Sequence, residues 1–416
     1  MKINNKLKAA LSVATILLAG GFAMAQNTMS PYSRFGYGLL GDNATSAQRQ
    51  MGGVGYAMRS GRQINVMNPA SYARIDSLTF LFDMGVAASF INTSEGDVKQ
   101  RQHGGGLDYV TMQFPVGSRF GASIGLLPYS SMGYAFGSDI KNGSSAHEGV
   151  GGLNQLYAGF SGRIIGNLTA GFNFSYLFGN NVNDVYAYTD GGSSSVFEQS
   201  IRVRDWHLQL GLQYAQRIGS RSVVGAGLTF SPGKDLRGHA DVVKYDMTAN
   251  ETPDTVETLS LHHNFSLPDT WGAGINYEWD NRLLVEADFT YQPWSKAKFA
   301  TMSDFPATRF ADRYKVALGA QFTPRLRPAN YLQAVRYRAG VFFNRDYMMV
   351  GDNHVREYGV ACGFGLPTMS TKTIINLGFE YRHRQAHPNP LVKENYFTIT
   401  LGINFNELWF MKRQIN

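Results

Sequence analysis

The sequence predicts an all-β protein, a transmembrane antiparallel β-barrel of about 14 strands with an N-terminal plug segment in its lumen. Three observations predict this fold. The chain begins with a secretory leader, and long segments after the leader alternate between apolar and polar residues. None of these later segments has the 18 or more consecutive apolar residues of a membrane-spanning helix. If this chain crosses a membrane, it must therefore do so as strands.

The composition fits neither an ordinary soluble domain nor a disordered chain. Only 17% of the 416 residues are charged, against roughly 25% in a typical soluble domain. The 27 Phe, 22 Tyr and 5 Trp are far more aromatic surface than a disordered chain carries. The net charge of +7 comes from dispersed Lys and Arg, so we expect no nucleic-acid partner. The single cysteine, Cys362, excludes an intrachain disulfide framework.

Residues 1–25 have the pattern of a signal peptide. Lysines precede an apolar run over residues 9–18, and small residues end at Ala25. The residue directly after Ala25 is Gln26 and not a cysteine, so the mature N-terminus has no thiol for a lipid anchor. Export followed by insertion as strands predicts a location in the bacterial cell outer membrane, so outer-membrane lipid is the first expected partner.

Residues 26–77 are expected to form a plug, or hatch, folded into the lumen. They lack sustained alternation, and the stretch 51–58 is punctuated by glycine. An Asn-Pro pair further on is expected to stop a short helix or turn. The alternative is an ordinary linker between the leader and the barrel. The residues of the predicted plug motif are Gly52, Gly53, Gly55, Asn68, Pro69 and Ala70.

Residues 78–405 are expected to form the barrel, and residues 406–416 a short C-terminal tail. From Leu78 to Phe90 the even-numbered residues are apolar and the odd-numbered ones mostly small or polar. A strand with this pattern has one continuous apolar face. About sixteen such segments are present, each roughly the 9 to 11 residues that a tilted spanning strand needs. Two of them, near 236–246 and 256–266, are weak and can instead form an extended loop, so fourteen strands are preferred.

A soluble β-sandwich is the competing fold, because its strands also alternate. Its solvent-facing side would be rich in charge, whereas the polar side here is dominated by Gly, Ser, Thr, Asn and Gln. Aromatic residues also cluster at strand ends, as Trp206 and Tyr214 do, in the manner of the girdles at bilayer interfaces. The membrane barrel is the favoured fold.

We expect a protein that is not an enzyme, with no catalytic residue, no metal ligand and no cofactor. Residues 121–125 match the G-x-S-x-G pattern of hydrolases, but that mechanism requires a strand-to-helix turn and this segment alternates as a strand. The pair His262-His263, and His383 with His387, have no further ligand nearby in sequence.

Charged residues on the polar faces are expected to point into the lumen. If Val335 and Val341 face lipid, Arg336 and Arg338 face inward, since a charge facing acyl chains costs about 2–4 kcal/mol at the midplane. Two interpretations of the inward arginines stay open: they bind a ligand carboxylate, or they belong to a salt-bridge network that fixes the plug. The same parity places Asp205, His207, Glu278, Glu286, Asp288, Glu380 and Arg382 inside, and the candidate ligand-binding residues are Arg336, Arg338 and Arg382.

Two stretches, one leading from the glycines of residues 51–58 to Ala70 and the other over residues 267–295, resemble the FadL/OmpP1 family of outer-membrane transporters for hydrophobic compounds. The glycine-rich stretch that leads to Asn68-Pro69-Ala70 is similar to the plug signature of the family. The second stretch resembles the family pattern of a Leu-Pro turn, a Gly-bearing strand, and a strand with an Asp and a terminal Trp-Ser. The resemblance implies a fourteen-stranded barrel, an N-terminal hatch, and passage of fatty acids or aromatic hydrocarbons into the membrane through a gap in the wall. The residues of the second motif are Pro268, Gly272, Asp288 and Trp294.

The expected function is passive transport or binding of hydrophobic small molecules such as long-chain fatty acids, and a hydrophobic ligand is the second expected partner. The candidate loops are rich in Gly, Ser, Asn, Asp and Thr, unlike the apolar capture groove of the fatty-acid importers of the family. The alternative is a non-transporting barrel subunit of an outer-membrane protein secretion or assembly machine, with protein partners, as in relatives of this fold in type IX secretion. Pro128, near a strand end, marks either a gap in the wall or an ordinary strand terminus.

Overall fold

The computed structural model describes residues 29–140, 143–189, 193–248, 254–262, 265–299, 309–368 and 372–408. Most of this part of the chain is sheet. The longest of its helices has six residues, and no described helix is long and apolar enough to cross a membrane. The predicted signal peptide and residues 409–416 of the predicted tail lie outside the described residues.

The strands are numbered here in chain order, and the helices are named by their bounds. The helices are Pro31–Arg34, Ser46–Arg49, Pro69–Arg74, Trp294–Lys296 and Tyr331–Ala334. The strands are β1 (Leu39–Leu40), β2 (Thr79–Glu95), β3 (Val98–Val116), β4 (Phe120–Pro128), β5 (Ser130–Ile140), β6 (Gly143–Ile165), β7 (Leu168–Thr189), β8 (Ser193–Ile218), β9 (Ser222–Ser231), β10 (Lys234–Asp235), β11 (Gly238–Thr248), β12 (Asp254–His262), β13 (Ser266–Leu267), β14 (Thr270–Trp279), β15 (Leu283–Gln292), β16 (Arg313–Phe322), β17 (Arg336–Val350), β18 (Asn353–Pro367), β19 (Ile374–His387) and β20 (Lys393–Leu408).

Fourteen strands pair in a closed antiparallel ring, which confirms the predicted barrel. The ladder between β2 and β20 runs from Thr79 opposite Leu408 to Ser94 opposite Lys393 and joins the last strand to the first. Closure joins each strand of the ring to a neighbour on both sides, as hydrocarbon requires. The order around the ring is β2, β3, β4, β6, β7, β8, β9, β14, β15, β16, β17, β18, β19 and β20.

Side chains alternate between the outer face and the lumen, as the period-two pattern predicts. On β8 the side chains of Trp206, Leu210, Leu212 and Tyr214 are between 40% and 47% exposed, whereas the intervening Gln213 is buried. The outside of the barrel is therefore apolar and suited to acyl chains, and its inside is polar.

The two weakly alternating segments predicted near 236–246 and 256–266 form strands, but these strands are not part of the ring. They form the hairpin β11–β12, in which β11 pairs with the half of β8 that extends past the end of β9. This pairing is available because β6, β7 and β8 have 23, 22 and 26 residues. The predicted length of 9 to 11 residues is wrong for these strands, since it covers only the membrane-spanning part of each.

The two ends of the barrel differ in the length of their connections. The chain enters β2 and completes β20 at one end, where turns such as 117–119, 166–167 and 219–221 are short. The long extensions of β6 to β8 lie at the other end. Short turns mark the periplasmic side of outer-membrane barrels, so these are called the periplasmic end and the extracellular end.

Residues 29–77, called the N-terminal segment below, lie in the lumen. The segment is mostly buried and forms hydrogen bonds with strands on several sides of the ring. These bonds join Ser30 to β5 and β20, Ser46 to β3, Gly55 and Ala57 to β15, Asn68 to β8 and β9, and Tyr72 to β7.

The Asn68-Pro69 pair begins a short helix rather than stopping one. Helix Pro69–Arg74 starts directly after Asn68, whose side-chain oxygen accepts a hydrogen bond from the N–H of Ala70 at 3.0 Å. Asparagine is a favoured N-cap, and proline suits the first helical position because no intrahelical acceptor is available for an N–H there. The expectation that the pair ends an element is therefore wrong in direction.

Candidate functional site

Two carboxylates on β15 hold a loop of the N-terminal segment. Asp288 Oδ2 accepts hydrogen bonds from the backbone N–H groups of Gly55 at 2.6 Å and Tyr56 at 3.0 Å. Glu286 Oε1 accepts from Ala57 at 2.8 Å and Met58 at 3.1 Å. All these groups are buried, where hydrogen bonds are stronger than in water and an unpaired N–H is costly. The loop 55–58 is therefore fixed to the barrel wall by its backbone.

The carbonyl oxygens of the same loop are bound by side-chain amides. Gln213 Nε2 donates to Tyr56 O at 2.9 Å and to Met58 O at 3.2 Å. Asn276 Nδ2 donates to Ala57 O at 2.8 Å. Amides from β8 and β14 thus complete the hydrogen bonding of a loop that has no regular secondary structure, as buried backbone requires.

Two glycines of the predicted plug motif lie where the backbone conformation and the space beside the wall both favour glycine. Gly52 and Gly53 have φ values of 75° and 80°, a conformation that other residues rarely adopt. A Cβ on Gly52 would lie 2.9 Å from the backbone oxygen of Val341 on β17. The chain can therefore reverse after helix Ser46–Arg49 and still contact the wall.

Three of the four residues of the second predicted motif, Gly272, Asp288 and Trp294, contact the N-terminal segment. Gly272 faces the ring of Tyr56, where an added Cβ would lie 2.5 Å from the ring. Trp294 is fully buried, and its ring centroid lies 5.8 Å from that of Tyr37. Pro268 lies in the connection between β13 and β14. With Asp288, which binds Gly55, two sequence motifs that look separate therefore meet inside the barrel.

Aromatic side chains fill the lumen towards the extracellular end. Trp294 lies 4.4 Å from Tyr347 and 5.6 Å from Phe310 between ring centroids, and Phe299 contacts Tyr37 edge-on at 5.4 Å. The hydroxyl of Tyr347 donates to Gly38 O at 2.6 Å and accepts from the N–H of Tyr37 at 3.0 Å. This cluster joins the N-terminal segment to β17 and to the connection after β15.

Asp42 links the N-terminal segment to β16 through two cations. Its carboxylate lies 2.6 Å from Lys315 Nζ and 3.3 Å from an Arg313 guanidinium nitrogen. Burial alone would raise the pKa of Asp42, but Lys315 and Arg313 together hold that pKa below its usual range. One third of the Asp42 side chain is exposed, so water screens part of this attraction. Neither Asp42 nor Lys315 carries a local sequence signal, because their partnership depends on the fold.

We expect Lys315→Met to make the protein more sensitive to acid. Because the folded-state pKa of Asp42 is lowered, its carboxylate stabilises the fold above the unfolded pKa of about 3.9 and loses this effect as the pH falls through the lowered value. Without Lys315 the pKa of Asp42 rises, so stability is lost at a higher pH. Melting temperature in detergent between pH 3 and pH 8 measures the shift. Lys298→Met, which breaks an exposed pair with Asp235, is the control, and identical pH profiles for both variants would contradict the assignment.

The three candidate ligand-binding arginines lie on inward faces but not together. Arg338 donates to Gln50 at 2.8 Å and Asn376 at 2.7 Å. Arg382 pairs with Glu380, and with Glu357 at 3.7 Å. Arg382 is opposite Gly359 on β18 and Arg338 is opposite Gly363, about four residues or 13 Å away along the strand. Arg336 precedes Arg338 towards the periplasmic end. Their role in binding a ligand stays a prediction.

The wall has a break beside Pro128. β3 pairs with β4 only from Val110 to Val116, and β5 continues beyond Pro128 along β6. Among the described residues no ladder joins β5 to β3. Instead β1 pairs with the start of β5, with Leu39 opposite Ser131. The N-terminal segment therefore covers the edge that the break leaves on β5.

Two cavities lie between the N-terminal segment and the wall. One, of about 80 Å³, is lined mainly by polar side chains that include Asn173, His207 and Gln209. The other, of about 140 Å³, reaches the break through Gly106 and Pro128. Its lining includes six charged residues, namely Asp42, Arg49, Asp108, Lys315, Glu380 and Arg382. Both cavities are small compared with the roughly 300–1,000 Å³ of ordinary ligand pockets.

The closed ring, the apolar outer face and the occupied lumen define an outer-membrane β-barrel with a FadL-type fold. The P. putida toluene transporter TodX is similar over 89% of this chain and all of that chain, with 13% identity and a TM-score of 0.63. A Pseudomonas aeruginosa FadL homologue matches 88% of this chain and 99% of that one, with 12% identity and a TM-score of 0.63. The CymD monoaromatic hydrocarbon channel matches 90% and 99%, with 16% identity and a TM-score of 0.54.

The family is shown by the sequence itself. The family model described as BamG matches residues 7–416, so this chain belongs to the BamG family. No curated protein matches the chain. Both the family and the FadL-type fold are those of Gram-negative outer-membrane proteins, which confirms the predicted location in the outer membrane.

Proposed function

We propose that this protein is a non-transporting barrel subunit of an outer-membrane protein secretion or assembly machine, with residues 29–77 as a fixed plug. The observation that carries the proposal is the attachment of loop 55–58, whose four backbone N–H groups are bound by Glu286 and Asp288. A segment whose backbone N–H groups are bound by buried carboxyl oxygens resists displacement, because each of these N–H groups would lose its partner. The description of the family, BamG, favours the same assignment.

The polar lumen supports this proposal over hydrophobic transport. A fatty acid would have to pass the charged groups of the 140 Å³ cavity. An acyl chain gives those groups no hydrogen bonds in exchange for the water that it displaces, and this desolvation is costly. An engineered protein cavity of about 150 Å³ binds benzene, but that cavity is lined by apolar residues. The 140 Å³ cavity here is of similar volume and includes six charged residues in its lining.

Purification of the tagged native protein from outer membranes tests the proposal. We expect one or more proteins to copurify in a fixed ratio close to one to one after mild detergent extraction, because a subunit binds its complex stoichiometrically. The same tag on an unrelated outer-membrane barrel is the control. Recovery of a monomer from membranes cross-linked before extraction would contradict the proposal.

Hydrophobic transport is the second candidate, and the break beside Pro128 favours it. The similar structures include a toluene transporter and a monoaromatic hydrocarbon channel. In this candidate function the ligand leaves sideways between β3 and β5. A ligand carboxylate replaces Glu380 as the partner of Arg382. Uptake of labelled fatty acid and labelled toluene by a deletion strain and its parent tests the idea. We expect equal uptake, whereas a deficit restored by the wild-type chain but not by Gly106→Trp would favour transport.

A further inference from the structure

Three arginines lie near one another at the periplasmic end of the barrel, where helix Pro69–Arg74 contacts Gly121 of β4, which is opposite Ser161 of β6. Arg59 and Arg74 are half-buried, and Arg163 is exposed. Arg59 belongs to the N-terminal segment, Arg74 is the last residue of helix Pro69–Arg74, and Arg163 lies near the end of β6, two residues after the buried, inward-facing Ser161. Burial and the nearby charges of Arg74 and Arg163 lower the pKa of Arg59 to about 10, so Arg59 is still charged at neutral pH. The pKa of Arg74 is lowered by burial and by Arg163.

No carboxylate balances these charges in the part of the chain that the structure describes. None of the three arginines is within 4.0 Å of an Asp or Glu oxygen in the described ion pairs. The nearby Asp76 is paired with Arg62 at 3.3 Å. All three guanidinium nitrogens of Arg59 are buried and have no hydrogen-bond partner among the described atoms.

This arrangement contrasts with that of Arg313 and Arg384, two buried arginines of the lumen that have carboxylate partners. Arg313 is paired with Asp42 at 3.3 Å, and Arg384 is paired with Glu357 and with Glu394 at 3.5 Å. A buried guanidinium without hydrogen bonds is strongly unfavourable. An anion from outside the chain would satisfy Arg59 and relieve the repulsion among the three arginines.

We propose that Arg59, Arg74 and Arg163 form a binding site for carboxylate groups of an acidic segment that a periplasmic partner protein inserts into the mouth of the barrel. The site lies at the mouth of the lumen, with the Arg59 guanidinium buried and Arg163 exposed. Lipid headgroups lie against the outer face of the wall, so a protein segment reaches the mouth more readily than a lipid phosphate. Arginine forks match carboxylates in geometry as well as in charge. The choice of partner rests on the proposed subunit function, but the site itself does not.

Binding of a labelled peptide of ten glutamates to the purified full-length protein in detergent tests the site. A peptide of ten glutamines is the neutral control. The double variant Arg74→Gln, Arg163→Gln is compared with Arg217→Gln, Arg221→Gln, which removes two exposed charges at the same end of the barrel. We expect binding to weaken by at least about tenfold in the first variant and by less than about twofold in the second. Each variant is run on a denaturing gel before and after heating. Slower migration of the heated sample verifies that the barrel was folded before heating.

Two outcomes would overturn the inference. Equal loss of binding in both double variants would mean that diffuse positive charge, and not this site, attracts the peptide. Competition by inorganic phosphate at millimolar concentration with the same dependence on Arg74 and Arg163 would identify a small-anion site instead. Neither outcome depends on copurifying partners, so failure of this inference is distinct from failure of the proposed function.

Discussion

Replacement of both Glu286 and Asp288 by alanine is expected to release the N-terminal segment from the barrel wall. The change removes the acceptors of four buried backbone N–H groups. Each N–H left without a partner costs about 1–3 kcal/mol, so the expected total is several kcal/mol. The ring ladders do not include these side chains, and the barrel is expected to remain closed. Protease cleavage within residues 29–77 and ion conductance in planar bilayers are both expected to rise.

Glu278→Ala is the matched control for this variant. Glu278 lies on the inward face of the neighbouring β14 and accepts no hydrogen bond from the described residues of the N-terminal segment. The amide variant Glu286→Gln, Asp288→Asn keeps one acceptor oxygen at each position and is expected to give an intermediate effect. If the alanine variant is as resistant to protease and as closed as wild type, the two carboxylates do not hold the segment.

The ring of strands could be predicted because its signal is local. Leu78 to Phe90 alternates in sequence, and the same residues alternate in exposure on β2, with Phe90 outward and Ile91 buried. Lipid on one side and a polar lumen on the other impose this period on every strand. The parity of β17 therefore also placed Arg338 inside correctly, since no other arrangement keeps its charge away from acyl chains.

The contacts between the N-terminal segment and the wall could not be predicted in the same way. Gly55 and Asp288 are 233 residues apart, and no pattern within either segment specifies its partner. The sequence marked both residues, one in the plug motif and one in the strand motif, but not the hydrogen bond between them. The two segments of the hairpin β11–β12 were marked as weak candidate strands, but their pairing with β8 was not predicted, because it depends on how far β8 extends beyond its membrane-spanning part.

The fold of this protein does not by itself determine its function. The FadL-type ring fixes an outward apolar face and a lumen, but it leaves open what fills that lumen. Here Asp42, Lys315 and Arg313 form ion pairs where a hydrophobic ligand would need apolar surface. These ion pairs support the proposed subunit function over lipid transport, and that proposal makes the periplasmic mouth and the loops the surfaces on which partners are to be sought.

Gly227→Ala is expected to disrupt the docking of the N-terminal segment with a single methyl group. Gly227 lies on the inward face of β9, and an added Cβ would overlap the carbonyl oxygen of Tyr56. Neither neighbour can move freely, because β9 is paired on both sides and Tyr56 is held by Asp288 and Gln213. Overpacking of this kind costs about 1–3 kcal/mol. We expect increased protease cleavage within residues 29–77 and a lower melting temperature.

Gly137→Ala on β5 is the control for Gly227→Ala. An added Cβ there would lie 3.3 Å from Ser145 O, with no other atom within 4 Å, and it would touch no part of the N-terminal segment. Both variants add one methyl group to a glycine in a strand, so a difference between them separates contact with the segment from the general cost of alanine in a strand. Combining Gly227→Ala with the alanine variant of Glu286 and Asp288 is expected to add little, since both changes release the same loop. Full additivity would show that Gly227 stabilises the barrel independently of the N-terminal segment.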